Sequence, residues 1–194
     1  MRVLDIGCGP KMDWPPRLPR QESNPQVIGL DISFAACRQA SIASNGARRP
    51  CICARAEQLP LAGSSIDLVI SSVAVPYTDI PLVLAEVRRV LVSGGRLNLS
   101  LHDIGFTLQE IRTTAVRRPA ALLYRLLVLC SGLWFFLTGR SLRVGNRVES
   151  WQSERGMRLA LERAGFTNIR FSHLDGRRFV VEASLATPEA RLAA

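Results

Sequence analysis

Proton-moving and metal-binding side chains are sparse in this 194-residue sequence, which narrows the chemistry open to it. The histidines are His102 and His173. His102, followed by Asp103, ends an alternating apolar run at 96–101. An imidazole titrates near neutrality, so His102 is a candidate general base, with a solvated turn histidine as the alternative. His173 falls in a terminal hairpin pattern and reads as structural. Cys51 and Cys53 share a face if 51–54 is a strand, but no neighbouring Cys or His cluster completes a four-ligand set, so no metal is expected. Five cysteines, with Cys8 in a glycine loop and Cys130 in an apolar run, make a poor disulfide framework. Free thiols in a cytoplasmic protein are the expectation. The chain enters a strand pattern at residue 2, and no signal peptide is expected.

The elements that would carry these residues alternate between strand and helix. The run 2–6 reads as a buried parallel strand ending in the glycine turn Asp5-Ile6-Gly7-Cys8-Gly9. Prolines at 10, 15, 16, 19 and 25 forbid a long helix after it. A second strand is expected over 27–31, then a helix over 34–44 capped by Ser33 and closed by Asn45-Gly46. Strands follow at 51–54 and 66–71, a helix at 81–92 stopping at Ser93-Gly94-Gly95, and a fifth strand at 96–101. A helix at 154–164 precedes two strands, 168–173 and 178–184, joined through Asp175-Gly176. Such alternation predicts one α/β domain over 1–194, with an apolar insertion at about 104–150. The expected architecture is a Rossmann-like doubly wound sheet, mostly parallel with an antiparallel C-terminal strand.

Five segments in order, VLDIGCGP at 3–10, VIGLDIS at 27–33, ARAEQLPLAGSSIDLVISS at 54–72, LAEVRRVLVSGGRLNLS at 84–100 and ALERAGFTNIRF at 160–171, resemble the successive motifs of class I S-adenosylmethionine-dependent methyltransferases. The resemblance covers most of the chain outside 104–150 and implies S-adenosyl-L-methionine as cofactor. It implies that Gly7, Cys8 and Gly9 let the backbone approach that cofactor, and that Asp5 supports its methionine end. Asp31 would accept the ribose hydroxyls, Ile32 would pack on the adenine, Ala56 and Glu57 would read the adenine edge, and Ser71 and Ser72 would lie near the sulfonium. Tyr77 and Asp103 are the substrate-contact candidates.

The sequence departs from the family pattern in three places. Lys11 and the prolines replace the helix start that usually follows the glycines, removing amide donors and a helix dipole. Arg55 stands where an acidic residue is common, and a guanidinium cannot accept a hydrogen bond from the adenine amino group. The amino-terminal helices that usually cover the pocket are not seen, implying a minimal or truncated form, or a lid from another chain. The stretch aligned with the Asn/Asp-Pro-Pro-aromatic motif of many amino-group methyltransferases reads Ser72-Val73-Ala74-Val75.

A net charge of +9 comes from arginines, since Lys11 is the sole lysine. They are scattered rather than clustered, which argues against nucleic acid as a partner; genome composition accounts for the bias equally well. Residues 120–139, AALLYRLLVLCSGLWFFLTG, approach the ~20 residues that span a bilayer. Three readings stand: a buried or pocket-capping helix pair, an interfacial or subunit contact that would make the protein membrane-associated, and a true span. An apolar segment there points to a hydrophobic small-molecule acceptor. The competing function is a non-catalytic binding or scaffold subunit of the same fold; a basic RNA-binding methyltransferase is the third.

Overall fold

The structure, a computed structural model, describes residues 1–11, 25–43, 50–113, 119–145, 148–175 and 177–186. Three features anticipated above, the prolines at 15, 16 and 19, the Asn45-Gly46 helix stop and Gly176 of the hairpin turn, lie outside them.

Seven strands form one sheet in the order β3-β2-β1-β4-β5-β7-β6. They are β1 (Arg2–Ile6), β2 (Gln26–Asp31), β3 (Cys51–Cys53), β4 (Ile66–Ser72), β5 (Leu91–His102), β6 (Phe166–Asp175) and β7 (Arg178–Leu185). The first five run parallel to one another. β7 is antiparallel to both β5 and β6. β6 therefore lies at the sheet edge, and β7 returns to fill the place between it and β5.

Alternation along β1 shows why the sheet must be covered on both sides. Leu4 and Ile6 face the larger core, with α2 (Ile80–Val90), α5 (Glu154–Arg163) and Phe135, whereas Val3 joins Val27, Leu68, Ile70 and Ala40 of α1 (Phe34–Ala43) on the opposite face. α2 turns Val83, Leu84, Val87 and Val90 inward at helical spacing. Ser33 Oγ accepts the Ala36 amide at 3.3 Å, the cap that its position predicts.

β5 is longer than expected. Residues 93–95, read from sequence as a stop, are part of the strand: Ile66 pairs with Leu91 but Leu68 pairs with Arg96. Extra residues on β5 bulge there, with Gly94 at φ +72°. Glycine serves both turns and bulges, so sequence alone could not separate them.

The insertion forms two helices, α3 (Ile104–Thr113) and α4 (Pro119–Thr138). α4 packs on α3 and α5 but is not a buried helix: only Val128, Ser131, Gly132 and Phe135 are shielded. The expectation of a buried pair is corrected in that respect. Two glycines set how closely it docks. A Cβ on Gly132 would lie 2.1 Å from the Trp151 ring, and one on Gly156 of α5 would lie 2.7 Å from Phe135.

Candidate functional site

The strand order reverses between β1 and β4, where crossovers on either side diverge and leave a crevice beyond the strand ends. A pocket of about 260 Å³ opens there, between the ends of β1, β2 and β3 and the 3-10 turn Val75–Tyr77. Gly7, Asp31, Ile32, Ala56, Glu57 and Tyr77 line it, six of the residues the sequence singled out. Arg55, Ala74 and Thr78 complete its polar and small-residue wall.

Gly7 is demanded by its surroundings. Its φ is +71°, and a Cβ there would stand 2.1 Å from the Ala74 Cβ. Gly9, at φ +61°, has open space around its absent side chain. The loop amides do not all face the pocket: the Gly7 and Cys8 N–H groups donate to the Leu30 carbonyl at 2.7 and 3.2 Å. The Gly9 N–H donates to Asp31 Oδ2 at 3.0 Å, and the Ser33 N–H to Asp31 Oδ1 at 2.9 Å. Asp31 is thus a pocket wall and, with the Leu30 carbonyl, one of the ties that hold the glycine loop to β2. Each carboxylate oxygen keeps a further lone-pair direction for a ligand hydroxyl.

Several expected contacts lie elsewhere. Asp5 is buried behind the loop, outside the pocket lining; burial first, and then the Asp31 charge, push its carboxyl up to about 7. Cys8 turns to the opposite sheet face, with Sγ 3.4 Å from Cys51 Sγ. Burial is the main cause that raises both thiols to about 11, so they are protonated at neutral pH. Ser71 is buried and donates its hydroxyl to the Ile6 carbonyl at 2.8 Å, tying β4 to β1. Side chains alternate along β4, so Ser72, the exposed neighbour that ends the strand, points to the other side.

His102 ends β5, and its imidazole stacks on the Phe106 ring with centroids 3.9 Å apart. Asp103 Oδ1 accepts the Gly105 amide at 2.8 Å, so this carboxylate caps the start of α3. Neither lines the pocket. His173 is an exposed hairpin residue whose Nε2 lies 2.9 Å from Glu154 Oε1. Among the described residues, no group of three or more His, Cys, Asp or Glu could hold a metal.

Arg55 acts on the pocket wall through Glu57. Its guanidinium lies 3.3 Å from Glu57 Oε1, the oxygen that also accepts the Asp79 amide at 3.2 Å. Arg55 therefore holds the carboxylate that lines the pocket and leaves the second oxygen, Oε2, as an acceptor.

A polar cluster from the insertion escaped the sequence reading. Arg125 of α4 pairs with Glu110 of α3 at 2.8 Å and with Glu149 at 2.7 Å, and the Tyr124 hydroxyl donates to Glu149. Burial raises the Tyr77 phenol, Glu149 and Glu110 raise it further, and Arg125 opposes them, so Tyr77 is neutral at physiological pH. Arg125, the lone charge inside an apolar run, was the available signal; its carboxylate partners lie too far away in sequence to be paired by inspection.

This strand order, with an antiparallel β7 and a pocket at the reversal, defines the class I methyltransferase fold. Residues 4–99 match the family model described as a methyltransferase domain. A malonyl-[acyl-carrier protein] O-methyltransferase from Gallionella capsiferriformans is 36% identical over 120 residues, covering 57% of this chain and 40% of that protein. One from Alcanivorax borkumensis is 34% identical over 116 residues, covering 58% and 38%. The chain thus spans about two fifths of these relatives' length. Among solved structures, an S-adenosylmethionine-dependent methyltransferase from Mesorhizobium loti superposes with a TM-score of 0.62 at 19% identity, covering 94% of this chain and 90% of the other. One from Methanosarcina mazei gives 0.59 at 20% identity, covering 96% and 92%. The chain carries a class I S-adenosylmethionine-dependent methyltransferase domain.

The donor set fits that cofactor. A carboxylate with spare lone pairs, apolar Ile32 and Ala56 beside it, and a glycine turn at the strand end suit a ribose, an adenine and a close backbone approach, respectively.

Proposed function

We propose that this protein transfers a methyl group from S-adenosyl-L-methionine to an apolar small-molecule acceptor. The observation that carries the reading is Asp31: it ends β2 in the wall of the pocket beside the topological switch point, with Ile32 and Ala56 also in that wall. Asp31 would hold the ribose hydroxyls, Ile32 and Ala56 the adenine faces, and Glu57 the adenine amino group. When bound, the cofactor supplies a methyl carbon on a sulfonium for in-line displacement by an acceptor lone pair.

Orientation is then the main contribution of the chain, because the displacement needs no protein nucleophile. Tyr77 lines the pocket on the turn after β4, half-exposed and neutral. It serves as an aromatic wall and hydrogen-bond donor for the acceptor, not as a base. Should the acceptor have to lose a proton, His102 is the candidate base, although it is stacked on Phe106 at the end of β5 and outside the pocket lining. A carboxylate acceptor, such as a malonyl-[acyl-carrier protein] O-methyltransferase takes, would need no base.

An apolar acceptor is supported by exposed side chains at the pocket and beside it. Tyr77 in the pocket wall is 51% exposed, and Phe34, two residues beyond the pocket-lining Ile32, is 72% exposed. Incubating the chain with methyl-labelled cofactor and a panel of apolar and acyl-carrier-linked acids tests the reading. Label in the solvent-extractable products supports it; label confined to acyl-carrier-protein adducts replaces the free small molecule with a carrier-bound acyl group. A scaffold role is the second reading, favoured by loop amides engaged on Leu30 instead of facing the pocket.

A further inference from the structure

α4 inverts the usual arrangement of a surface helix. Its polar side chains face the domain: Arg125 and Tyr124 are tied to Glu110 and Glu149, and Ser131 is buried. Its outward side carries Leu123, Leu126, Leu127, Leu133, Trp134 and Leu137, all between 39% and 63% exposed. These positions, with exposed Cys130 midway, recur every three or four residues and so form a single stripe along the whole helix. Water therefore meets an unbroken apolar ridge about 20 Å long.

The rim of the ridge is cationic. Arg155 of α5 lies over the Phe136 ring at 5.3 Å, and Arg163 donates to the Thr138 carbonyl, so α5 turns two exposed arginines to this side. Exposed Arg140 follows the helix, and Arg117-Arg118 directly precede it in sequence. Two carboxylates that contact α4, Glu110 and Glu149, are turned inward onto Arg125. We propose that α4 lies flat in the interface of an anionic membrane, its leucine ridge among the acyl chains and the flanking arginines among phosphate headgroups.

Charge and packing select this occupant over the alternatives. A second copy packed ridge to ridge would bring the arginine-bearing ends together without the phosphates that neutralise them. A transmembrane span would require α4 to leave α5 and Trp151, on which its inner face is docked, and would strip Arg125 of both carboxylates. Lying in the interface keeps every one of those contacts. The proposal is independent of whether the pocket binds cofactor.

The test is flotation of the full chain with vesicles of mixed phosphatidylglycerol and phosphatidylcholine, and with phosphatidylcholine alone. The chain should float with the anionic vesicles and on the order of tenfold less with neutral ones, with the binding weakened by salt. The Trp134 emission should shift to the blue on binding, a shift absent in Trp134→Phe. The double variant Leu126→Glu, Leu133→Glu alters only exposed positions and should lose flotation while retaining its circular dichroism spectrum. Equal flotation of this variant, or no preference for anionic vesicles, overturns the proposal. A vesicle-independent dimer that the variant disperses also overturns it, in favour of a second copy.

Discussion

Asp31 Oδ2 accepts the Gly9 amide hydrogen at 3.0 Å, and through it the end of β2 fastens the glycine loop that follows β1. One carboxylate thus shapes the pocket and faces into it. Replacing Asp31 with alanine removes the loop tie and the ribose acceptor together. Affinity for S-adenosylhomocysteine should fall about 10- to 100-fold, the range for losing hydrogen bonds to a charged group. Asp31→Asn keeps one acceptor oxygen and should lose less. Titration calorimetry on both variants measures the difference, and unchanged affinity in Asp31→Ala would remove the ribose assignment.

The two glycines of the loop should differ when a methyl is added. At Gly7 the new Cβ would meet Ala74 at 2.1 Å on a backbone already at φ +71°. Overpacking and left-handed strain together should cost about 2–4 kcal/mol. At Gly9 only the strain remains, about 1 kcal/mol. Urea unfolding of Gly7→Ala and Gly9→Ala checks the order; a Gly9 variant as unstable as the Gly7 variant contradicts it.

Asp5 links stability to pH. Burial and the neighbouring Asp31 raise its folded carboxyl from 3.8 to about 7. Between those values the folded state holds a proton that the unfolded state has released, so this group's contribution to stability declines as pH rises from about 4 to 7. Asp5→Asn should be free of that decline. The gap between the urea midpoints of the variant and the parent should widen in the variant's favour over this window, and a constant gap would show that Asp5 titrates normally.

Ser71 and Ser72 separate a sheet contact from the pocket. Ser71→Ala removes the hydroxyl that reaches the Ile6 carbonyl and should cost about 1 kcal/mol of stability, with S-adenosylhomocysteine affinity retained. Ser72→Ala, at an exposed strand end, should leave stability unchanged. Thermal melts with and without ligand distinguish the two effects; weakened ligand binding in Ser71→Ala would return that side chain to the cofactor site.

The sequence made the parallel sheet legible because each strand is a short apolar run with its own boundary signal, and the resemblance to class I methyltransferases pointed to Asp31, Ile32, Ala56 and Glu57. It was less informative wherever the answer depends on a distant partner. Ser71 and Ser72 read alike until β4 is given an inside and an outside. The requirement for Gly7 comes from Ala74, 67 positions away, and no local pattern announces it. Asp103 looks like a substrate contact until Gly105 claims its oxygen as a helix cap. The apolar run 120–139 predicts a helix, but its composition is the same whether the leucines face a core or the solvent. Trp151, Gly132 and Gly156 decide that by fixing which side docks.

Titration of the purified chain with S-adenosylhomocysteine tests the central claim most directly, since it examines the pocket without requiring the acceptor to be known. Saturable binding at one site per chain, weakened by Asp31→Ala and indifferent to Ser71→Ala, is the predicted result. Absence of any binding heat at millimolar ligand, from a chain that is folded by circular dichroism, would contradict the methyltransferase reading and leave the fold as a scaffold.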